Sequence, residues 1–174
     1  NHYHKLVEIK YGNKYDEDVE QYLCMKYIDK NDIILELGGN IGRVSILLSI
    51  LINNENNLVV LESSHQHYNE LLENYNMNNC KFNVLNSALS IQSLFQYGWQ
   101  SFTGEEYNNI KEEQRHLLKQ IKTITYKEIL AKYNLNFNTL VIDCEGAFYN
   151  IIIEKPNILS TINKIIIEND YNCE

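Results

Sequence analysis

The sequence is short of the features that would assign it at once. Its 15 Lys and Arg face 23 Asp and Glu, a net charge of −8 with histidine neutral, and the basic residues nowhere cluster. A protein that grips a phosphate backbone needs a basic face, so nucleic acid is not an expected partner. The longest apolar run, Val44 to Ile52, is broken by Ser45 and Ser49 and is too short to cross a bilayer. No signal peptide is visible, and the expected location is cytoplasmic. Cys24, Cys80, Cys144 and Cys173 contain no C-x-x-C pair, which fits reduced thiols better than a disulfide frame or a zinc site. A single proline accompanies an abundance of Asn, Ile and Tyr. That is the look of AT-rich coding, so runs such as Asn53-Asn54-Glu55-Asn56-Asn57 read as loops rather than motifs.

What is present is one ordinary globular domain: 174 residues, 44% hydrophobic and 22% charged. Within 1–174 the pattern marks a helical lead-in over 1–32 and an irregular insertion or lid over 89–121. The chain is organised around Ile33-Ile34-Leu35-Glu36-Leu37-Gly38-Gly39-Asn40-Ile41-Gly42. A continuous β-branched run bounded by glycines reads as a strand buried on both faces. Glycines let the following turn be sharp and let backbone approach a ligand, and the helix from Arg43 to Ile52 offers unpaired N–H groups there. The bland alternative is a strand–helix turn with glycine for packing alone. Glycines at offsets of zero, two and five are absent, and so is a Gly-Lys-Ser/Thr ending; neither a dinucleotide fingerprint nor a phosphate loop is present.

The remaining elements follow in order. Asp16 to Ile28 has helical spacing. Leu58 to Leu61 is a second strand ending at Glu62, and Ser63 reads as the cap of a helix from about Ser64 to Asn76, with Gln66 completing a capping box. Lys81 to Leu85 is a third strand. Gln92 to Thr103 is aromatic without a clean period, and Glu105 to Gln120 reads as a charged helix. A short strand at Lys122–Thr125, a helix over Tyr126–Tyr133, a strand over Thr139–Asp143, a helix over Ala147–Glu154 and a strand over Ile162–Ile167 complete the chain. Strands alternating with helices predict an α/β fold: a mostly parallel, Rossmann-like sheet flanked by helices.

Glu36, Glu62 and Asp143 stand at strand ends, where ligands bind in an open α/β sheet. Glu62 follows the glycine corner by about twenty residues, where a carboxylate can accept ribose hydroxyls. Asp143 and Glu145 point the same way in an extended chain, with Cys144 opposite. Two such carboxylates repel unless a cation or hydroxyl lies between them, which suits a general base or a metal site; capping the next helix is the plainer alternative.

Taken together these pieces resemble the FkbM-type class I methyltransferases. The resemblance rests on Glu36-Leu37-Gly38-Gly39-Asn40-Ile41-Gly42, Leu61-Glu62, Tyr68-Asn69-Glu70-Leu71-Leu72, Ser87-Ala88-Leu89 and Ile142-Asp143-Cys144-Glu145-Gly146-Ala147. It extends from about Tyr15 to Asp170. Gly39 stands where alanine is usual, Ser63 where proline is common, and Phe148 where a glutamate commonly follows. A complete class I sheet would add two more strands, so either they are not in this chain or the sheet is abbreviated. The resemblance implies S-adenosylmethionine as cofactor, bound by Glu36, Gly38, Asn40, Gly42, Glu62, Ser63, Ser87 and Ala88. It implies Asp143 and Glu145 beside the transferred methyl, and O-methylation of a sugar or glycan-bearing acceptor. Asp143, Glu145 and Glu168 offer oxygen ligands to Mg²⁺ or another hard cation, and Tyr97, Trp99 and Phe102 a wall for a sugar face.

Two rivals stay open. One is a methyltransferase of nucleic acid or protein, against which the acidic balance and the lack of an Asn/Asp-Pro-Pro-Tyr/Phe segment speak. The other is a catalytically silent module of the same fold that binds a partner.

Overall fold

The computed structural model describes residues 5–144, 147–154 and 156–168. The lead-in forms helix α1 (Asp18–Tyr27), followed by β1 (Ile34–Leu37), α2 (Arg43–Leu51), β2 (Leu58–Leu61), α3 (His65–Met77) and β3 (Asn83–Leu85). After β4 (Ala88–Leu89) comes the insertion: β5 (Leu94–Tyr97), β6 (Gln100–Thr103), α4 (Gly104–Asn109), α5 (Glu112–Arg115) and β7 (Lys119–Ile121). The chain then returns through β8 (Thr123–Ile124), α6 (Tyr126–Tyr133), β9 (Thr139–Ile142), α7 (Ala147–Glu154) and β10 (Lys164–Ile167).

Five parallel strands make the central sheet, in the order β10-β9-β1-β2-β3. Because β1, β2 and β9 are buried at every position, their sequences are runs of apolar residues and not alternations. Residues still alternate between the two faces. Ile34, Leu58, Val60, Val141 and Ile166 join the core beneath α1, α2 and α3. Leu35, Leu37, Val59, Leu61, Leu140 and Ile142 join a second core with Tyr126, Ile129, Phe137 and Ile151. Each such side chain withdrawn from water contributes about 1.5–3 kcal/mol. On the edge strand β10, Ile166 is buried while Ile165 and Ile167 are exposed. Strand order reverses between β1 and β9, so a crevice opens outside their carboxyl ends.

Two expectations fail in detail. The stretch Glu105 to Gln120 is not one helix but α4, α5 and the start of β7. The Thr103 capping box fixes where α4 begins, and its chain stops at Ile110, whose backbone is extended. The aromatic segment before it is a hairpin, β5 paired antiparallel with β6 around Gly98 (φ 57°), with β7 on the other side of β5.

Candidate functional site at the β1/β9 crevice

Gly38 leaves β1 with φ 89°, and a Cβ there would stand 1.6 Å from the carbonyl oxygen of Asp143. The ends of β1 and β9 therefore touch, and only glycine fits between them. The Gly38 and Gly39 N–H groups both donate to the Leu61 carbonyl, at 2.9 and 3.0 Å, drawing the corner over the end of β2. Gly42, also left-handed at φ 93°, caps α2. Asn40, at φ 47°, turns its own N–H onto the carboxylate of Glu62 at 2.8 Å.

Glu62 is buried at the end of β2 and takes a second backbone N–H, from Ser64, at 2.6 Å. Burial pushes its pKa up to about 7, against the pull of the Ser64, Asn40 and Ser63 N–H groups. The carboxylate keeps lone-pair capacity for another donor. The α3 cap is Ser64, which accepts from the His67 N–H at 3.3 Å, and not Ser63 as the capping-box pattern suggested. Ser63 instead faces Gln96 of β5, oxygen to oxygen 3.4 Å. Asn86 ties the two neighbouring loops by donating to the carbonyls of Glu62 (2.8 Å) and Ser63 (3.2 Å).

Glu36 belongs to the same sheet face but lies deeper, wholly buried, with Oε2 lacking a hydrogen-bond partner. Burial pushes its pKa up to about 8, leaving it protonated at neutral pH. It borders a small void shared with Glu17, Gly38, Asp143 and Glu168. Glu17 arrives from the lead-in, in left-handed backbone at φ 67° just before α1. Its Oε1 accepts from Arg43 at 2.7 Å and from the Asn40 amide at 3.2 Å. Burial pushes the Glu17 carboxyl up, with Arg43 pulling the other way. Nothing local in the sequence marks Glu17: its partner stands 26 residues on.

These parts enclose a cavity of about 440 Å³. Of the residues expected to form a site, Gly38, Asn40, Glu62, Ser63, Ser87, Ala88, Trp99, Asp143 and Glu168 border it. Glu36 and Gly42 do not; they lie behind the corner. Tyr97 is exposed away from the cavity, and Phe102 pairs with Phe95 across the hairpin. Phe95 itself stacks on Tyr107 at 3.9 Å, so this part of the aromatic segment packs within the insertion. Trp99 stacks on His67 at 4.6 Å and stays half exposed beside the cavity. Glu145 lies outside the described residues. Among those described, no group of three or more His, Cys, Asp or Glu is arranged to hold a metal ion. Among them, too, no helix is long and apolar enough to cross a membrane. Sequence reasoning missed Gln96, Glu106, Asn150 and Glu154, which also border the cavity.

No protein-family model matches the chain, and no curated protein matches it. Solved structures do. The precorrin 8w decarboxylase of Methanobacterium thermoautotrophicum is similar with a TM-score of 0.50 at 12% identity, over 92% of this chain and 64% of that one. An rRNA methylase from Streptococcus thermophilus is similar with a TM-score of 0.50 at 8% identity, over 87% of this chain and 70% of that one. The chain thus spans just under two thirds of the first of these. At such identities the likeness speaks for the fold: a Rossmann-like α/β fold with a mostly parallel sheet between helical layers.

Proposed function

We propose that this chain is an S-adenosylmethionine-dependent O-methyltransferase acting on a hydroxyl of a sugar-bearing acceptor, as the FkbM resemblance implies. The observation that supports this most is the meeting, in one cavity, of the Glu62 carboxylate, the Asn40 corner and Asp143 from across the strand-order reversal. The fold is shared with an rRNA methylase, which agrees with methyl transfer while its acceptor is of another class.

The residues fit the cofactor in a specific respect. Glu62 carries only backbone donors, so it retains the capacity to accept a ribose hydroxyl. In this reading Gly38 and Asn40 face the methionine end, Ser63, Ser87 and Ala88 flank the nucleoside, and Glu36 and Gly42 shape the corner from behind. The cofactor, when bound, supplies a methyl on a sulfonium: a carbon–oxygen bond forms as the carbon–sulfur bond breaks, its electron pair staying on sulfur. Asp143 takes the proton that leaves the acceptor hydroxyl, which is otherwise a poor nucleophile. Holding acceptor and methyl in line supplies much of the remaining acceleration.

Calorimetric titration of S-adenosylhomocysteine tests the reading. Micromolar binding is expected, weakened at least about tenfold by Glu62→Ala through loss of charge-assisted hydrogen bonds. Well-folded protein that takes up no S-adenosylhomocysteine would overturn it and favour a silent partner-binding module.

A further inference from the structure

We propose that the acceptor taken by this cavity is a hydroxyl-bearing amine, an amino sugar in the simplest case, and not a phosphate-bearing molecule. The inference rests on the methyltransferase reading and adds the charge of the acceptor to it. Six of the described residues bordering the cavity are acids, Glu17, Glu62, Glu106, Asp143, Glu154 and Glu168, and none is Lys, Arg or His. The nearby cation Arg43 is committed to the protein itself, donating to Glu17, to Asp16 and to the Asn13 carbonyl.

Three of the other carboxylates are held by neutral groups. Glu62 has the Asn40 and Ser64 N–H groups, and Glu106 has the Thr103 N–H at 2.7 Å. Glu154 accepts from the Ser90 hydroxyl at 3.1 Å, the Ile91 N–H at 3.0 Å and the Gln92 amide at 2.9 Å. Neutral donors stabilise a carboxylate without cancelling its charge, and a cleft lined by one sign of charge focuses that field on whatever enters. If Glu62 and Asp143 serve the cofactor and the transferred methyl, Glu106 and Glu154 remain on the other walls. Gln96, Ser101 and Asn150 border the same cavity and suit hydroxyls. The half-exposed ring of Trp99 suits both a sugar face and a cation. A phosphate would find like charge and, among the described residues that border the cavity, no counter-ion.

Trp99 is the chain's single tryptophan, so its emission reports on the cavity directly. Protein saturated with S-adenosylhomocysteine is titrated with a glucosamine tetramer, with the N-acetylglucosamine tetramer of the same scaffold but no charge, and with glucose 6-phosphate. The amine form is expected to bind about tenfold tighter than the acetylated form at low ionic strength, the combined effect of two partly exposed carboxylates. Salt narrows that margin. Glu106→Gln, whose side chain still completes the α4 cap, narrows it by up to about fivefold with affinity for S-adenosylhomocysteine unchanged. Equal or tighter binding of the acetylated or phosphate-bearing probe, or a saturable response to neither tetramer, overturns the inference. Failure of S-adenosylhomocysteine itself to bind is a separate result, which removes the methyltransferase reading first.

Discussion

At the level of single residues, Glu36 and Glu62 show how depth divides two similar acids. Both lie at carboxyl ends of adjacent parallel strands, on the same sheet face. Glu62 borders the cavity and takes backbone N–H groups on both oxygens; Glu36 is sealed behind the corner with one oxygen unpaired. Burial pushes Glu36 to about 8 from 4.5, so the folded chain holds a proton that the unfolded chain releases between those values. The stability tied to that proton is fully present below the unfolded pKa and is lost as pH rises through the folded one. Glu36→Gln removes this dependence. Urea unfolding should find the variant more stable than wild type by a few kcal/mol above about pH 8.5, with the gap closing towards about pH 5. Glu62 contributes a slope of the same sign, reaching to about 7, in both proteins. Parallel profiles for the two would mean that Glu36 is not the buried acid.

At the level of elements, the parallel core was legible and the insertion was not, for one physical reason. Strands buried on both faces must be apolar throughout, so β1, β2 and β9 announce themselves as runs ending in acids. The hairpin β5–β6 is only half buried and is exposed at its tip. Its aromatic residues serve local stacking, Phe95 on Tyr107 and Trp99 on His67, and the two-residue spacing of Phe95, Tyr97 and Trp99 runs across the turn at Gly98, so it does not mark the face of one strand. Helix pattern likewise placed α6 and α7, but the hydrogen bonds that moor the insertion to α7 leave no local trace. They join Glu154 to Ser90, Ile91 and Gln92, more than sixty residues earlier. Glu154→Ala removes the acceptor of the partly buried Ser90 hydroxyl and of the exposed Ile91 and Gln92 donors, at a cost of about 1–3 kcal/mol. Hydrogen exchange should show faster opening of the Ile91 and Gln92 amides while the β1 and β2 amides keep their protection. Uniform loss of protection across the chain would show that Glu154 supports the whole domain and not the insertion alone.

At the level of the whole molecule, one contact couples folding to the site. The Gly38 turn lies against the Asp143 carbonyl, so the halves β1-β2-β3 and β9-β10 join where the cavity opens. Stability and ligand binding should separate there by mutation. A ligand that binds only the folded state adds about 2.7 kcal/mol at one hundred times its Kd, which for a domain of this size raises Tm by about 5–10 °C. S-adenosylhomocysteine should produce a shift of that order in the wild type. Glu62→Ala should lose most of the shift and, without ligand, melt only a few degrees below wild type, because it strands the Asn40 and Ser64 N–H groups at the cavity wall but leaves the packed core whole. Gly38→Ala should behave in the opposite order, since its Cβ has no room beside backbone that cannot swing away. It should melt well below wild type before any ligand is added, whatever affinity it retains. Thermal scans of the three proteins with and without ligand separate the cases. If Gly38→Ala melts like wild type and loses only the ligand shift, the glycine serves the ligand and not the joint between the two halves of the sheet.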